Sequence, residues 1–266
     1  LLTFNIKNNH IQYVDGRDGP ANKSRLCVKG RYGFDYIHHP DRLKKPMIRR
    51  EDCKKTGELI EPENIYQFFR EATWEEALNF AADGFNKIKI NNGPQSLAGF
   101  GCAKGSNEEA YLVQKLVRTG FENNNIDHCT RLCHASSVAA LLETIGSGAV
   151  SNQVSDGSYA DVIIVIGSRP HENHPVAATF LKNASERGSK LIFIEPYTSD
   201  IAIHASHFLQ LRPGTDVLLL NAMMHVIINE NLHNKKFIDE HTKDFENIVE
   251  TVKDYSPEKV SPICGV

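Results

Sequence analysis

The sequence predicts an α/β fold centred on a parallel sheet, and three observations in the C-terminal half of the chain carry that prediction. Asp161-Val162-Ile163-Ile164-Val165-Ile166-Gly167 and Lys190-Leu191-Ile192-Phe193-Ile194-Glu195-Pro196 are short, near-continuous apolar runs closed by turn residues. That is the pattern of strands buried on both faces. Between them, roughly Pro175 to Arg187 is amphipathic at helical spacing and is stopped by Gly188, which makes a βαβ unit. A third apolar run, Phe208 to Leu211, precedes Pro213-Gly214-Thr215-Asp216 and a helix to about Glu230. Residues 129–266 are therefore expected to form a three-layer αβα, Rossmann-like unit whose parallel sheet includes 162–166 and 191–194.

Two zones precede it. Residues 1–53 are turn-rich and basic, with Asp15-Gly16-Arg17-Asp18-Gly19-Pro20 and a cluster ending at Arg49-Arg50. Short β-like runs, such as His10-Ile11-Gln12-Tyr13-Val14, are separated by these turns. A small irregular domain fits, and such domains often depend on a metal or cluster. In residues 54–128, Thr73 ahead of Trp74-Glu75-Glu76-Ala77-Leu78 is a helix start. A short strand at 96–100 leads into Gly101-Cys102-Ala103-Lys104-Gly105, and Ser106 with Glu109 forms a capping-box pattern for a helix to about Thr119. Near the end, Ser256-Pro257-Glu258 reads as an N-cap with proline at the first helical position.

The chain has 266 residues, 41% apolar and 24% charged, the balance of an average soluble globular protein. A formal net charge of −3 gives no electrostatic reason to expect nucleic acid or an anionic membrane surface as partner. The longest apolar stretch, Val217 to Ile228, is interrupted by Asn221 and His225. It falls short of the roughly 20 residues of a transmembrane helix. The first residue is Leu1, which is neither a signal peptide nor a natural start. The expectation is a piece of a longer polypeptide, whose export signal could lie outside it. Six cysteines are too sparse for a disulfide scaffold and favour a reducing compartment, the cytoplasm.

Three segments could carry chemistry. The Gly99–Ser106 loop is glycine-rich and opens a helix, as phosphate loops do. But Lys104 precedes Gly105, so the Walker order is not met and a tight turn is the plainer reading. The loop Gly167-Ser168-Arg169-Pro170-His171-Glu172-Asn173-His174-Pro175 lacks the full dinucleotide fingerprint. It nevertheless gathers polar side chains at a strand end, where open α/β sheets bind ligands. Cys129-Thr130-Arg131-Leu132-Cys133-His134 has no second pair of soft ligands for zinc. A structural cysteine is the usual reading. Arg131, His134 and a helix starting at Ala135 would instead favour a thiolate at Cys133, the metal-binding form.

These segments, taken in order, resemble one family. Ser24-Arg25-Leu26-Cys27-Val28-Lys29-Gly30-Arg31-Tyr32-Gly33 is similar to the fourth-cysteine segment of the iron–sulfur domain that begins catalytic subunits of the dimethyl-sulfoxide-reductase superfamily. Arg131 to Ala139, followed by Gly146-Ser147-Gly148-Ala149, resembles the active-site segment of its molybdopterin-dependent formate dehydrogenases. The 167–175 loop resembles the family's dinucleotide loop. Leu211 to Asp216, with Leu220 to His225, resembles its later pterin-side segment. The resemblance runs from about residue 10 to the end.

It implies that residues 1–53 are the remnant of a 4Fe–4S domain, 54–128 the first part of an α/β molybdopterin-binding domain, and 129–266 the guanine-dinucleotide-binding domain. Cys27 would ligate the 4Fe–4S cluster, its three companion cysteines lying ahead of Leu1. Lys29 would stand between cluster and pterin. Cys133 would be the protein thiolate on molybdenum or tungsten, held by bis-molybdopterin guanine dinucleotide. His134 would accept or relay the proton. Gly167, Ser168, Glu172, Glu195, Gly214 and Asp216 would line one guanine-dinucleotide arm.

The reaction so implied is oxidation of formate to carbon dioxide. Electron-transfer partners would be iron–sulfur or NAD-linked diaphorase-type subunits. Two departures stand out. Where the family often has Asp-Pro-Arg after its second strand, this chain has Glu195-Pro196-Tyr197, which keeps the carboxylate and lacks a phosphate-pairing arginine. Val266 also comes before the family's substrate-orienting arginine and C-terminal domain, so the segment alone is expected to be inactive. A nitrate reductase of the same superfamily is disfavoured by the Cys133-His134 pair. A non-catalytic electron-transfer subunit of a respiratory complex would have no need to keep that pair.

Overall fold

The computed structural model describes residues 1–266. In chain order its strands are β1 (Leu2–Lys7), β2 (His10–Gly16), β3 (Met47–Arg49), β4 (Phe69–Glu71), β5 (Gly99–Gly101), β6 (Ile126–His128), β7 (Val162–Ile166), β8 (Lys190–Ile194) and β9 (His207–Leu209). Two pairs, β1–β2 and β3–β4, are antiparallel; β5–β6 and the sheet β7–β8–β9 are parallel. The chain divides into two compact units, one of residues 1–34 with 152–266 and one of residues 35–151.

In the first unit β8 is central, flanked by β7 (Ile164 opposite Ile192) and β9 (Phe193 opposite Phe208). Its side chains alternate between faces. On one face Phe193 packs with Ala178 of the helix Pro175–Glu186 and with Ile201, bordered by Val165 and Phe208. The Phe193 and Phe208 rings stack at 6.0 Å. On the other face Ile194 packs with Leu219 and Ala222 of the helix Asp216–Asn229 and with Val260 and Cys264 of the helix Pro257–Cys264. Helices thus cover β8 on both sides, the three-layer arrangement the apolar runs predict. Leu191, Phe193 and Ile194 are fully buried.

β7 departs from expectation. Its run reads as buried on both faces, yet Val162, Ile164 and Ile166 are 53%, 46% and 37% exposed, while Ile163 and Val165 are half-buried. The reason is position in the sheet. β7 is one of the sheet's two edge strands, and the helix layer that packs on Ile194 also takes in Ile192 of β8 and Leu209 of β9. Ahead of the sheet, β1 and β2 form a hairpin whose turn residues Asn8 and Asn9 take φ of 50° and 60°, the left-handed conformation that two-residue hairpin turns demand. Buried Asn22 then organises the turn-rich segment, with its amide within 3.0–3.2 Å of the carbonyls of Leu1, Arg17 and Arg25.

In the second unit the Thr73 hydroxyl accepts from the Glu76 amide at 3.1 Å to start the helix Trp74–Asn92. Ser106 and Glu109 complete a reciprocal capping box on the helix Asn107–Lys115. Pro94-Gln95-Ser96 form a tight 3₁₀ turn, so β5 begins later than the run at 96–100 suggests. Leu97, Val117 and Phe121 make a small core. A Cβ at Gly99 would fall 2.4 Å from Val117 Cγ2, so only glycine admits this close strand–helix approach. Buried Asn123 ties the strand entry down by donating to Pro94 O (2.6 Å) and Leu97 O (3.1 Å).

Phe193→Ala should lower stability by about 3–5 kcal/mol, the usual range for emptying a buried aromatic site, with Phe193→Leu recovering part of the loss. Urea denaturation of the protein followed by circular dichroism measures it. An unchanged midpoint for Phe193→Ala would contradict the central place of β8.

Candidate functional site

Because β7, β8 and β9 run parallel, their C-terminal ends form one edge, and the loops beginning at Gly167, Glu195 and Gln210 all leave from it. The Gly167 amide donates to Ile194 O at 3.0 Å and the Glu195 amide to Leu209 O at 3.2 Å, fastening each exit to its neighbour. Gln210 Nε2 donates to Pro196 O at 3.0 Å. Gly167 and Gly214 take φ of +60° and +82°, with open space where a Cβ would stand. The Arg212–Thr215 turn is closed by the Thr215 hydroxyl donating to Arg212 O at 2.7 Å, and Asp216 begins the next helix. Gly167, Ser168, Glu172, Glu195, Gly214 and Asp216 are thus contributed by three adjacent strand exits. Ser168 and Glu195 are half-buried and the other four exposed.

Two further side chains join this edge. The Arg169 guanidinium lies 5.3 Å from the ring centroid of Tyr197, and its Nη1 is 3.2 Å from Glu172 Oε2. His171 turns Nε2 toward Glu172 Oε1 at 3.4 Å, while its Nδ1 is buried without a hydrogen-bond partner. Sequence reading gives Arg169, His171 and Tyr197 no role. The available signal was an arginine in the β7 loop combined with a tyrosine where an arginine is expected after β8.

The same unit holds Cys27, which precedes the short helix Val28–Tyr32. The Gly30 N–H, foremost, holds the Cys27 thiol below its ordinary pKa; the N–H groups of Lys29 and Cys27 and the Lys29 charge act the same way, against partial burial. A cavity of about 380 Å³ beside it is lined by Ser24, Arg25 and Arg31 on one side and Pro175, Val176 and Thr179 on the other. The Arg25 guanidinium sits 4.9 Å from the Phe180 ring centroid, fastening this segment to the helix Pro175–Glu186. Lys29 is exposed.

Cys133 and His134 lie in the other unit. β6 leads into the single turn Thr130–Cys133, His134 breaks it at φ −144°, and the helix Ala135–Ile145 follows. Both residues are exposed, and the Cys133 sulfur makes no hydrogen bond. No side chain caps the helix, which leaves its first N–H groups facing the Cys133-His134 junction. The cationic surroundings read from the sequence are altered in one respect. Arg131 Nε binds Asp127 Oδ2 at 3.0 Å, so its charge is neutralised one turn back. The Asp127 carboxyl is held below its ordinary pKa by the His128 N–H first and by Arg131 next. Cys129 Sγ accepts from the Ala103 amide at 3.2 Å, joining the 101–105 loop to this segment.

The residues fit the groups that the resemblance implies. No three His, Cys, Asp or Glu side chains gather as a metal site, so a metal at Cys133 must bring most of its ligands with it, as a pterin-held metal does. A partner-free thiol is a soft donor suited to such a redox metal. Cys27, its thiol held below its ordinary pKa, can supply one of the four sulfurs a 4Fe–4S cluster requires.

The alpha subunit of F420-dependent formate dehydrogenase 1 from Methanococcus maripaludis is 40% identical over 247 residues, covering 93% of this chain and 34% of that protein. Formate dehydrogenase H of Escherichia coli is 37% identical over 266 residues, covering 98% and 35%. Among solved structures, acetylene hydratase from Pelobacter acetylenicus superposes with a TM-score of 0.74 at 24% identity, over 99% of this chain and 35% of that one, a likeness of fold. The chain spans about a third of the length of these relatives. Residues 42–252 match the family described as Molybdopterin oxidoreductase, and the chain belongs to that family, with the molybdopterin cofactor which membership implies.

Proposed function

We propose that the protein carrying this chain oxidises formate to carbon dioxide, two electrons and a proton at a molybdenum or tungsten centre held by bis-molybdopterin guanine dinucleotide. The observation that carries the reading is the exposed, partner-free Cys133 thiol beside the His134 imidazole, at the uncapped start of the helix Ala135–Ile145. The names of the relatives support it. The two-electron redox chemistry is supplied by the bound cofactor, and the protein contributes orientation and electrostatics. Cys133 anchors the metal with one soft ligand. His134 takes the proton that formate loses, a transfer for which an imidazole is suited near neutral pH. Gly167, Ser168, Glu172, Glu195, Gly214 and Asp216 hold one guanine-dinucleotide arm at the sheet edge. Cys27 would ligate a 4Fe–4S cluster, which would carry the electrons away, and the Lys29 ammonium would assist that path.

In this reading residues 1–53 close the cluster domain, 54–128 open the molybdopterin-binding domain, and 129–266 form its dinucleotide-binding part. Electrons pass on to iron–sulfur or diaphorase-type subunits. No helix of the chain is long and apolar enough to cross a membrane.

In the full-length enzyme Cys133→Ala should abolish formate oxidation while pterin content stays largely intact, because other loops hold the pterin. Near-normal turnover by that variant would remove Cys133 from the metal. His134→Ala should lower kcat by roughly 10²–10⁴-fold, the usual contribution of an acid–base group, and change the pH–rate profile with little loss of metal. An unaltered profile would remove His134 from the proton path.

Cys27→Ala should cost the cluster its low-temperature electron paramagnetic resonance signal and about four irons per protein, while molybdenum or tungsten remains. A retained signal would show that Cys27 is not a ligand.

A further inference from the structure

At the edge of the β7–β8–β9 sheet, Arg169, His171 and Tyr197 meet from the ends of two adjacent strands. Arg169 follows β7 and Tyr197 follows β8, and the guanidinium-to-ring distance is 5.3 Å. An arginine stacked by its face on an aromatic ring keeps its in-plane N–H donors available. One guanidinium nitrogen, Nη1, is engaged by Glu172, at 3.2 Å from Oε2 and 3.4 Å from Oε1, which fixes the plane and leaves the other nitrogens unpaired. Beside it, the imidazole of His171 directs Nε2 at Glu172 Oε1 (3.4 Å), a second contact that holds the Glu172 carboxylate in place. Gly167, at φ +60° with no atom within 4 Å of a would-be Cβ, leaves the adjoining space open.

A guanidinium held beside an aromatic ring at parallel strand ends, with nitrogens still unpaired, suits an anion with several oxygens. A phosphate matches the planar donors of arginine in pairs. We propose that Arg169, steadied by Tyr197 and Glu172, binds the diphosphate of the guanine-dinucleotide arm. In this chain the phosphate-pairing cation comes from the β7 loop, and position 197 supplies the ring that holds it. Glu172 then contributes to holding that arm through its contact with Arg169. The proposal rests on the dinucleotide reading given above.

The test uses the full-length enzyme and counts guanine nucleotide released per protein on acid treatment, separately from activity. Arg169→Ala should retain roughly tenfold less guanine nucleotide after dialysis, the scale of losing charge-assisted hydrogen bonds. Arg169→Lys should keep an intermediate amount. Tyr197→Phe, which preserves the ring, should match wild type, and Tyr197→Leu should fall between wild type and Arg169→Ala. Adding Tyr197→Arg to Arg169→Ala should restore retention by returning a guanidinium to the neighbouring strand end. Side chains 40% exposed at Arg169 and 61% exposed for residue Tyr197 make misfolding of these variants no obstacle, and circular dichroism checks it. Undiminished nucleotide in Arg169→Ala, with wild type fully loaded, would overturn this proposal and leave the dinucleotide reading standing. Wild-type enzyme with metal and pterin but no guanine nucleotide would overturn both.

Discussion

The parallel pairing of β7, β8 and β9 is the constraint on which the first unit depends. Parallel strands require crossovers, and here the crossovers are the helix Pro175–Glu186 and the 3₁₀ turn Asp200–His204. Each must return the chain to the same starting side, so every strand ends at one edge and each ensuing loop opens there. Phe193 and Ile194, on opposite faces of β8, draw one helix layer to each side. The packing that stabilises the sheet and the geometry that gathers Gly167, Glu195 and Gly214 are therefore one arrangement. Antiparallel pairing of the same strands would send alternate loops to opposite edges and disperse the polar residues.

What was legible in the sequence was local. Apolar runs of strand length, Gly188 as a stop, Thr73 and the Ser106–Glu109 box each depend on neighbours within a few residues, and the structure realises each of them. Resemblance added Cys27, Cys133 and the dinucleotide loop, because motif order survives without knowledge of contacts. What could not be read was pairwise and distant. The exposure of Val162, Ile164 and Ile166 follows from which strand lies at the edge and how far a helix layer reaches, and neither is encoded within the run itself. Arg169 and Tyr197 are separated by a helix and a strand. Their stacking exists only once β7 and β8 lie side by side. Arg131 is the intermediate case. Its partner Asp127 is only four residues away, but the pairing requires the turn at Thr130–Cys133, which no periodic pattern announces.

The two cysteines given metal-binding roles stand in different surroundings. Adjacent basic side chains are the obvious way to favour a thiolate, yet around Cys133 the nearest arginine is committed to Asp127. There His134 interrupts one turn and starts another without a side-chain cap, and the Cys133 sulfur makes no hydrogen bond. At Cys27 the influence is backbone, with the Gly30 N–H foremost in holding the thiol below its ordinary pKa. Backbone donors have a physical advantage in a redox site. They are held by the fold, cannot swing away or lose a proton, and favour negative sulfur without adding a mobile cation to compete for substrate. On this argument the glycine at position 30 matters for where it aims the main chain. Substitutions that redirect its amide would disturb the sulfur chemistry even with Cys27 in place.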